Sequence, residues 1–284
     1  MLPGATISNG VPPYEKVTGK MTSGRISIKK YPLSSVWFPH VFEISILVAA
    51  YLAYMYTKTL VYADFQTTAF NNAWRVITFE SDLGIFWEPA MQAWAVDSAH
   101  ALVVFFNWAY IVTFWPIILV SALVLYCTNR NKYLYYRNVV LVSLAISVVV
   151  FMVFPLAPPR MMVLYFIDTI KVFGPSEYAS REMVNYFNAF AAMPSLHFAW
   201  TVMFGVLFLR TSYIWLKLFG IIYPVMTLFA IIITANHYLT DAFGGGMVIL
   251  VSFLLFELGF KRRFFACETF SKLKQIFLIR PLIR

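Results

Sequence analysis

The sequence predicts an all-α polytopic membrane protein, a bundle of six transmembrane helices with an interfacial helix in its first outer loop. Three observations lead there. The chain is 61% hydrophobic and only 12% charged, with a mean hydropathy of +0.72, whereas soluble domains average about 25% charged residues. Apolar runs near the ~20 residues needed to cross a bilayer recur along it. Seventeen of its 22 basic residues fall in alternate segments between those runs, the asymmetry that marks a cytoplasmic side.

Residues 1–35 read as a cytoplasmic N-terminal tail, with prolines, glycines and lysines and no apolar stretch long enough for a cleavable signal peptide. A membrane domain over 36–260 follows, and 261–284 is a basic cytoplasmic C-terminal tail. Spans are expected at about 41–63, 101–127, 138–156, 196–210, 213–234 and 240–260. The basic segments 128–137 and 210–217 then join the two tails on the inside. The loops near 64–100 and 157–195, and the turn near 235–240, face outward. In the first loop, SDLGIFWEPAMQAWAVDSAH (81–100) is too polar to cross, and its Leu83, Ile85, Phe86, Trp87, Met91 and Trp94 suit an interfacial helix. Glu88 reads as a solvated residue of that helix, with a reach toward a site as the alternative.

This topology accounts for the net charge of +9 without a nucleic-acid partner. Cys127 and Cys267 form neither a disulfide framework nor a zinc pattern.

The polar residues at the outer helix ends need a reason. In AAMPSLHFAW (191–200), Ser195 is a good N-cap, which puts His197 in the first turn of a span, at the positive end of a helix dipole that favours an anion. In NHYLTD (236–241), His237 and Asp241 are four apart and share a helical face. The carboxylate can take one imidazole N–H and leave the other nitrogen free to attack. Three glycines, 244–246, let another helix come close. In PLAPPRM (155–161), Pro158 and Pro159 end a span and hold Arg160 at the outer surface, as an interfacial anchor or as a bidentate phosphate clamp.

These three stretches resemble the signature motifs of the type-2 phosphatidic acid phosphatase superfamily. They are most similar to its inositolphosphotransferase branch, the aureobasidin-resistance type, which LGIFWEPAMQAWA and FIDT (166–169) also resemble. The resemblance covers roughly residues 80–260. It implies a six-helix bundle whose site lies at the extracytoplasmic or lumenal face, and chemistry that needs no metal or other cofactor. It makes His237 the nucleophile that becomes a phosphohistidine, Asp241 its orienting carboxylate, and His197 the acid and then the base. Arg160, Ser195 and Asn236 become the phosphate-binding residues. The partners implied are a membrane lipid phosphate donor and either a lipid alcohol or water as acceptor. Val153, Met161, Leu196, Ala230 and Ile231 stand where the phosphatase pattern has other residues, departures that fit the phosphotransferase branch. Hydrolysis and transfer both remain open, with a segment such as 181–193 as a candidate lid. Two other classes are left standing by the residues themselves. One is a hydrolase with His197, His237 and Asp241 as a two-histidine, one-carboxylate metal centre. The other is a transporter or scaffold without enzymatic activity.

Overall fold

The structure is a computed structural model that describes residues 33–61, 65–174 and 189–278, with side chains described over 37–56, 65–174 and 189–258. The described residues are helical without strands. Two units divide the chain. The first, Met1–Ser45, contributes the beginning of helix α1 (Leu33–Val61), where Phe38 and Phe42 stack one turn apart with ring centroids at 6.1 Å.

The second unit, Ile46–Arg284, holds the remaining described elements. These are α2 (Gln66–Asp82), α3 (Glu88–Ser98), α4 (His100–Trp108), α5 (Phe114–Thr128), α6 (Arg130–Val153), α7 (Thr169–Phe173), α8 (Leu196–Leu209), α9 (Ile214–Ile233) and α10 (Leu239–Leu278). A π-helical turn, Ala109–Thr113, fuses α4 to α5, so that His100–Thr128 is one apolar rod. Pro116 explains the turn: it has no N–H, and its ring would collide with the carbonyl four residues back in a regular helix.

Among the described residues, five helical stretches are long and apolar enough to cross a membrane: Trp37–Tyr56, His100–Thr128, Arg130–Val153, Ile214–Ile233 and Leu239–Leu258. The sixth expected span, α8, is apolar but has 14 residues, about 21 Å of helix and short of a bilayer core. Large apolar side chains such as Leu119, Leu123, Ile222 and Leu255 remain more than half exposed, as suits helices solvated by lipid rather than water.

Several boundaries move. The basic segment 128–137, expected as a loop, is the start of α6. The two helices are separated by Asn129 alone, whose side chain caps α6 by accepting the Lys132 N–H at 3.0 Å. Helix α10 continues to Leu278, so the expected tail at 261–284 is helical over most of its length. Helix α2 escaped the sequence reading because its buried stripe, Ala69, Asn72, Ala73, Val76, Ile77 and Glu80, has helical spacing but includes two polar residues. Most of the expected lid over 181–193 lies outside the described residues.

Close packing on α8 brings the site together. Gly205 and Gly220 let α8 and α9 touch main chain to main chain: a Cβ on either would sit within 2.8 Å of the other's carbonyl oxygen. On the other flank, a Cβ on Gly245 of α10 would lie 2.4 Å from the Ser195 carbonyl oxygen. The glycine run thus provides the close approach expected of it.

Candidate active site

The three motif stretches are tied together by main-chain hydrogen bonds before any side chain is considered. Leu156 N–H donates to the Phe190 carbonyl at 2.8 Å, and Ala192 N–H donates to Leu156 at 3.3 Å. Arg160 N–H donates to the Ala235 carbonyl at 2.7 Å, and Ser195 N–H to the Asp241 carbonyl at 3.0 Å. The turn carrying His237 has a defined shape of its own. Helix α9 ends in a Schellman motif, with Ala235 N–H on Ile232 and Asn236 N–H on Ile231, and Ala235 takes the left-handed conformation at φ 53°. That reversal turns the chain straight into α10 and leaves His237 between the two helices.

His237 is buried. Its Nδ1 lies 2.8 Å from the Ala192 carbonyl oxygen and 3.4 Å from Asp241 Oδ2. A carbonyl only accepts, so Nδ1 carries the proton and Nε2 holds the free lone pair. The expectation that Asp241 fixes the tautomer is therefore modified. The closer acceptor is main chain, and Asp241 Oδ2 instead accepts the Tyr238 N–H at 2.9 Å. Asp241 stands beside the imidazole as a second, longer contact. Burial pushes His237 down to about 3. The Arg160 charge adds to this and the Ala192 hydrogen bond opposes it, so the ring is neutral at ordinary pH.

His197 stands in the first turn of α8, where Ser195 Oγ accepts the Phe198 N–H at 3.3 Å, the N-cap expected from sequence. Its ring stacks on Phe114, the first residue of α5, at 3.9 Å and on Tyr110 of the π-helical turn at 4.4 Å. The His197 and His237 ring centroids are 6.5 Å apart, a separation that lets both imidazoles address one tetrahedral centre.

Arg160 donates from Nη1 to Asn236 Oδ1, and Asn236 Nδ2 donates to Thr234 Oγ1 at 2.7 Å. The Asn236 carboxamide thereby spends its oxygen on Arg160 and its nitrogen on the α9 cap. It fastens the guanidinium to the turn that carries His237. Ser195 is fully buried and its hydroxyl caps α8. Both residues, expected as phosphate ligands, are engaged in building the site.

Some of the supports have no local signature in the sequence. Gln92 accepts from Ile167 N–H at 2.8 Å and donates to the Ile167 and Ile233 carbonyls at 3.0 Å. Asn107 Nδ2 donates to the Thr169 main-chain carbonyl at 2.9 Å, and Thr169 Oγ1 donates to Asn107 Oδ1 at 2.9 Å. These bonds strap the FIDT stretch to α3, α4 and the end of α9. Glu88 is the clearest reversal. It is 1% exposed rather than solvated, and its Oε1 accepts the Leu239 N–H at 2.8 Å. Glu80, also buried, accepts the Thr240 N–H at 2.8 Å. The only available sign was an acidic residue set among aromatics. Among the described residues, no group of three or more His, Cys, Asp or Glu is arranged to hold a metal ion.

The motif order, spacing and convergence now stand together with a family comparison. The PAP2 superfamily model matches residues 74–255. This chain belongs to the PAP2 superfamily. The match includes Arg160, His197, His237 and Asp241 and starts within α2, so the supporting glutamates fall inside it as well. A PAP2 member with apolar helices of bilayer length is an integral membrane protein, and membership implies phosphoesterase activity on a lipid-like substrate. No curated protein and no solved structure matches the chain.

Proposed function

We propose that this PAP2 protein cleaves a lipid phosphoester through a phosphohistidine on His237 and passes the phosphoryl or phospho-headgroup to a lipid hydroxyl or to water. One observation carries the reading: Nδ1 of His237 is committed to the Ala192 carbonyl, which leaves Nε2 as a lone pair 6.5 Å, ring to ring, from a second imidazole. Nε2 attacks phosphorus and the bond to the leaving oxygen breaks. His197 gives that oxygen its proton. In the second half-reaction the acceptor O–H loses its proton to His197, its oxygen bonds to phosphorus, and the P–N bond breaks. Asp241 stabilises the charge that His237 acquires, and Arg160 holds non-bridging oxygens at the same turn. Among the described residues, Arg160 is the one cation bonded to that turn, which suits a phosphodiester monoanion and favours the inositolphosphotransferase-like form of the reaction. The basic-residue asymmetry supports cytoplasmic termini and an outward-facing or lumenal site. The exposed Trp87, just before α3, and Trp94 within it support an interfacial helix beside the site.

The test is purified protein in detergent with a panel of phospholipids and polyprenyl phosphates, scoring inorganic phosphate against new phospholipid. Activity should survive EDTA, and acid-labile, base-stable label should be trapped on the wild type and not on His237→Ala. Full turnover by His237→Ala would end the covalent scheme. Loss of activity on chelation would return the two-histidine, one-carboxylate metal centre.

A further inference from the structure

The first turn of α10 is held by carboxyl groups from outside the helix. Glu80 of α2 and Glu88 of α3 each use Oε1 to accept a main-chain N–H, from Thr240 and Leu239 respectively. Their two Oε2 atoms are buried and, among the described residues, receive no N–H or O–H donor. The two N–H groups they hold are consecutive along the chain, so the two carboxyls are neighbours, and Glu88 adds to the upward push on Glu80. Two neighbouring buried carboxylates do not readily both keep their charge, since one N–H each offsets only part of their desolvation and leaves their mutual repulsion. One proton between the two Oε2 atoms satisfies both at once. The groups that face this pair are Asp241, the buried Tyr238 phenol and the Thr240 hydroxyl, all on the chain being held.

We propose that Glu80 and Glu88 share one proton and act together as a clamp on residues 238–241, positioning His237 and Asp241 for the reaction. The role rests on the phosphohistidine reading, while the shared proton does not. Burial, reinforced by Glu88, pushes the Glu80 carboxyl up to about 8, so the clamp is closed at neutral pH and opens under mildly alkaline conditions. Above that pH the pair carries two negative charges behind Asp241 and repels itself apart.

Glu80→Gln is the informative variant. Its amide oxygen can still accept the Thr240 N–H, and its NH2 donates permanently to Glu88, which mimics the one-proton state and cannot be deprotonated. Wild-type turnover should fall at least tenfold between pH 7 and pH 9.5. Glu80→Ala should lose at least tenfold at pH 7. Glu80→Gln should stay within about threefold of wild type at pH 7 and show no alkaline limb. Infrared difference spectra should show a protonated carboxyl band that disappears near pH 8 in wild type and is absent in Glu80→Gln. Melting temperature supplies a third readout. A carboxyl whose folded pKa is raised loses stabilisation as pH climbs from its unfolded value of 4.5 to about 8, so wild type should lose melting temperature over that window and Glu80→Gln should not. An unchanged alkaline limb in Glu80→Gln, or a wild type with no such band, overturns the clamp. If no lipid is turned over at all, the phosphohistidine reading fails, and the band and melting curves still decide the shared proton.

Discussion

Gly245→Ala offers the sharpest test of how the site is assembled. The new Cβ would meet the Ser195 carbonyl oxygen at 2.4 Å, its carbonyl carbon at 3.3 Å and the Ala199 nitrogen at 3.4 Å. Ordinary contact begins at 3.4 Å, so α8 and α10 must separate by the difference, about 1 Å, and backbone cannot rotate away as a side chain can. Overpacking of this kind costs about 1–3 kcal/mol. The 3.0 Å Ser195–Asp241 hydrogen bond is stretched past its range, which adds about 1 kcal/mol. The gain in helix propensity from glycine to alanine offsets about 1 kcal/mol, leaving a net loss of roughly 1–3 kcal/mol. Turnover should suffer more than stability. Ser195 is the N-cap two residues before His197, and a 1 Å misplacement of a reacting group can cost ~10²-fold. The neighbouring glycines are internal controls. A Cβ on Gly244 meets nothing nearer than 3.6 Å, and one on Gly246 nothing nearer than 3.9 Å. Gly246→Ala should therefore be neutral or stabilising by up to about 1 kcal/mol. Melting temperature and initial rate on the best lipid of the panel decide the matter. If Gly245→Ala matches Gly246→Ala in both, the close α8–α10 contact is not what places His197.

Asp241→Asn keeps the His237 tautomer, because the Ala192 carbonyl holds it. It removes a charge 3.4 Å from the developing imidazolium, an interaction of up to about 5 kcal/mol at an effective dielectric of ~20. The rate constant for forming the phosphohistidine should drop at least ~10²-fold while nitrogen NMR shows the same ring tautomer. Asn236→Ala frees the Arg160 guanidinium from its tether, and KM should rise about tenfold with a smaller change in kcat, as steady-state kinetics would show. His237, held down to about 3 by burial, should put no acid limb near pH 6.5 into kcat/KM. Because its folded pKa is depressed, its stabilisation is full above the unfolded value of 6.5 and drains away as pH falls toward 3. The melting temperature of His237→Asn should accordingly decline less than that of wild type from pH 7 to pH 4.

What the sequence disclosed and what it hid divide along a physical line. The apolar runs, the Ser195 cap, the glycine approach and the four motif side chains were legible because each is a local pattern with a local cause. His237 and Asp241 do lie side by side, as their spacing of four required. The acceptor for Nδ1 was not legible, because a main-chain carbonyl has no letter in the sequence and Ala192 lies 45 residues away. Glu80 and Glu88 were misjudged or missed for a related reason. A buried carboxylate looks like a solvated one until the N–H groups it satisfies are known, and those lie 160 and 151 residues further on. Helix α2 was lost because Asn72, which donates to the Pro155 carbonyl at 2.9 Å, and Glu80 both interrupt its apolar stripe.

Two helix N-termini converge on the histidines, and the structure treats them in opposite ways. At α10, the main-chain N–H groups of Tyr238, Leu239 and Thr240 point at the carboxyls of Asp241, Glu88 and Glu80. The positive end of that dipole is already answered by protein charge, and an incoming phosphate would meet negative groups there. At α8, the cap is the neutral Ser195 hydroxyl, so the positive end stays available to an anion. Arg160 is fastened to the turn between α9 and α10, adjacent to His237. On the proposed chemistry, phosphorus therefore approaches between the α8 terminus and Arg160, with the free Nε2 of His237 behind it. The carboxyl group of residues at α10 then has a purpose beyond stability: it keeps the anion off the terminus that carries the nucleophile and directs it to the one beside the acid.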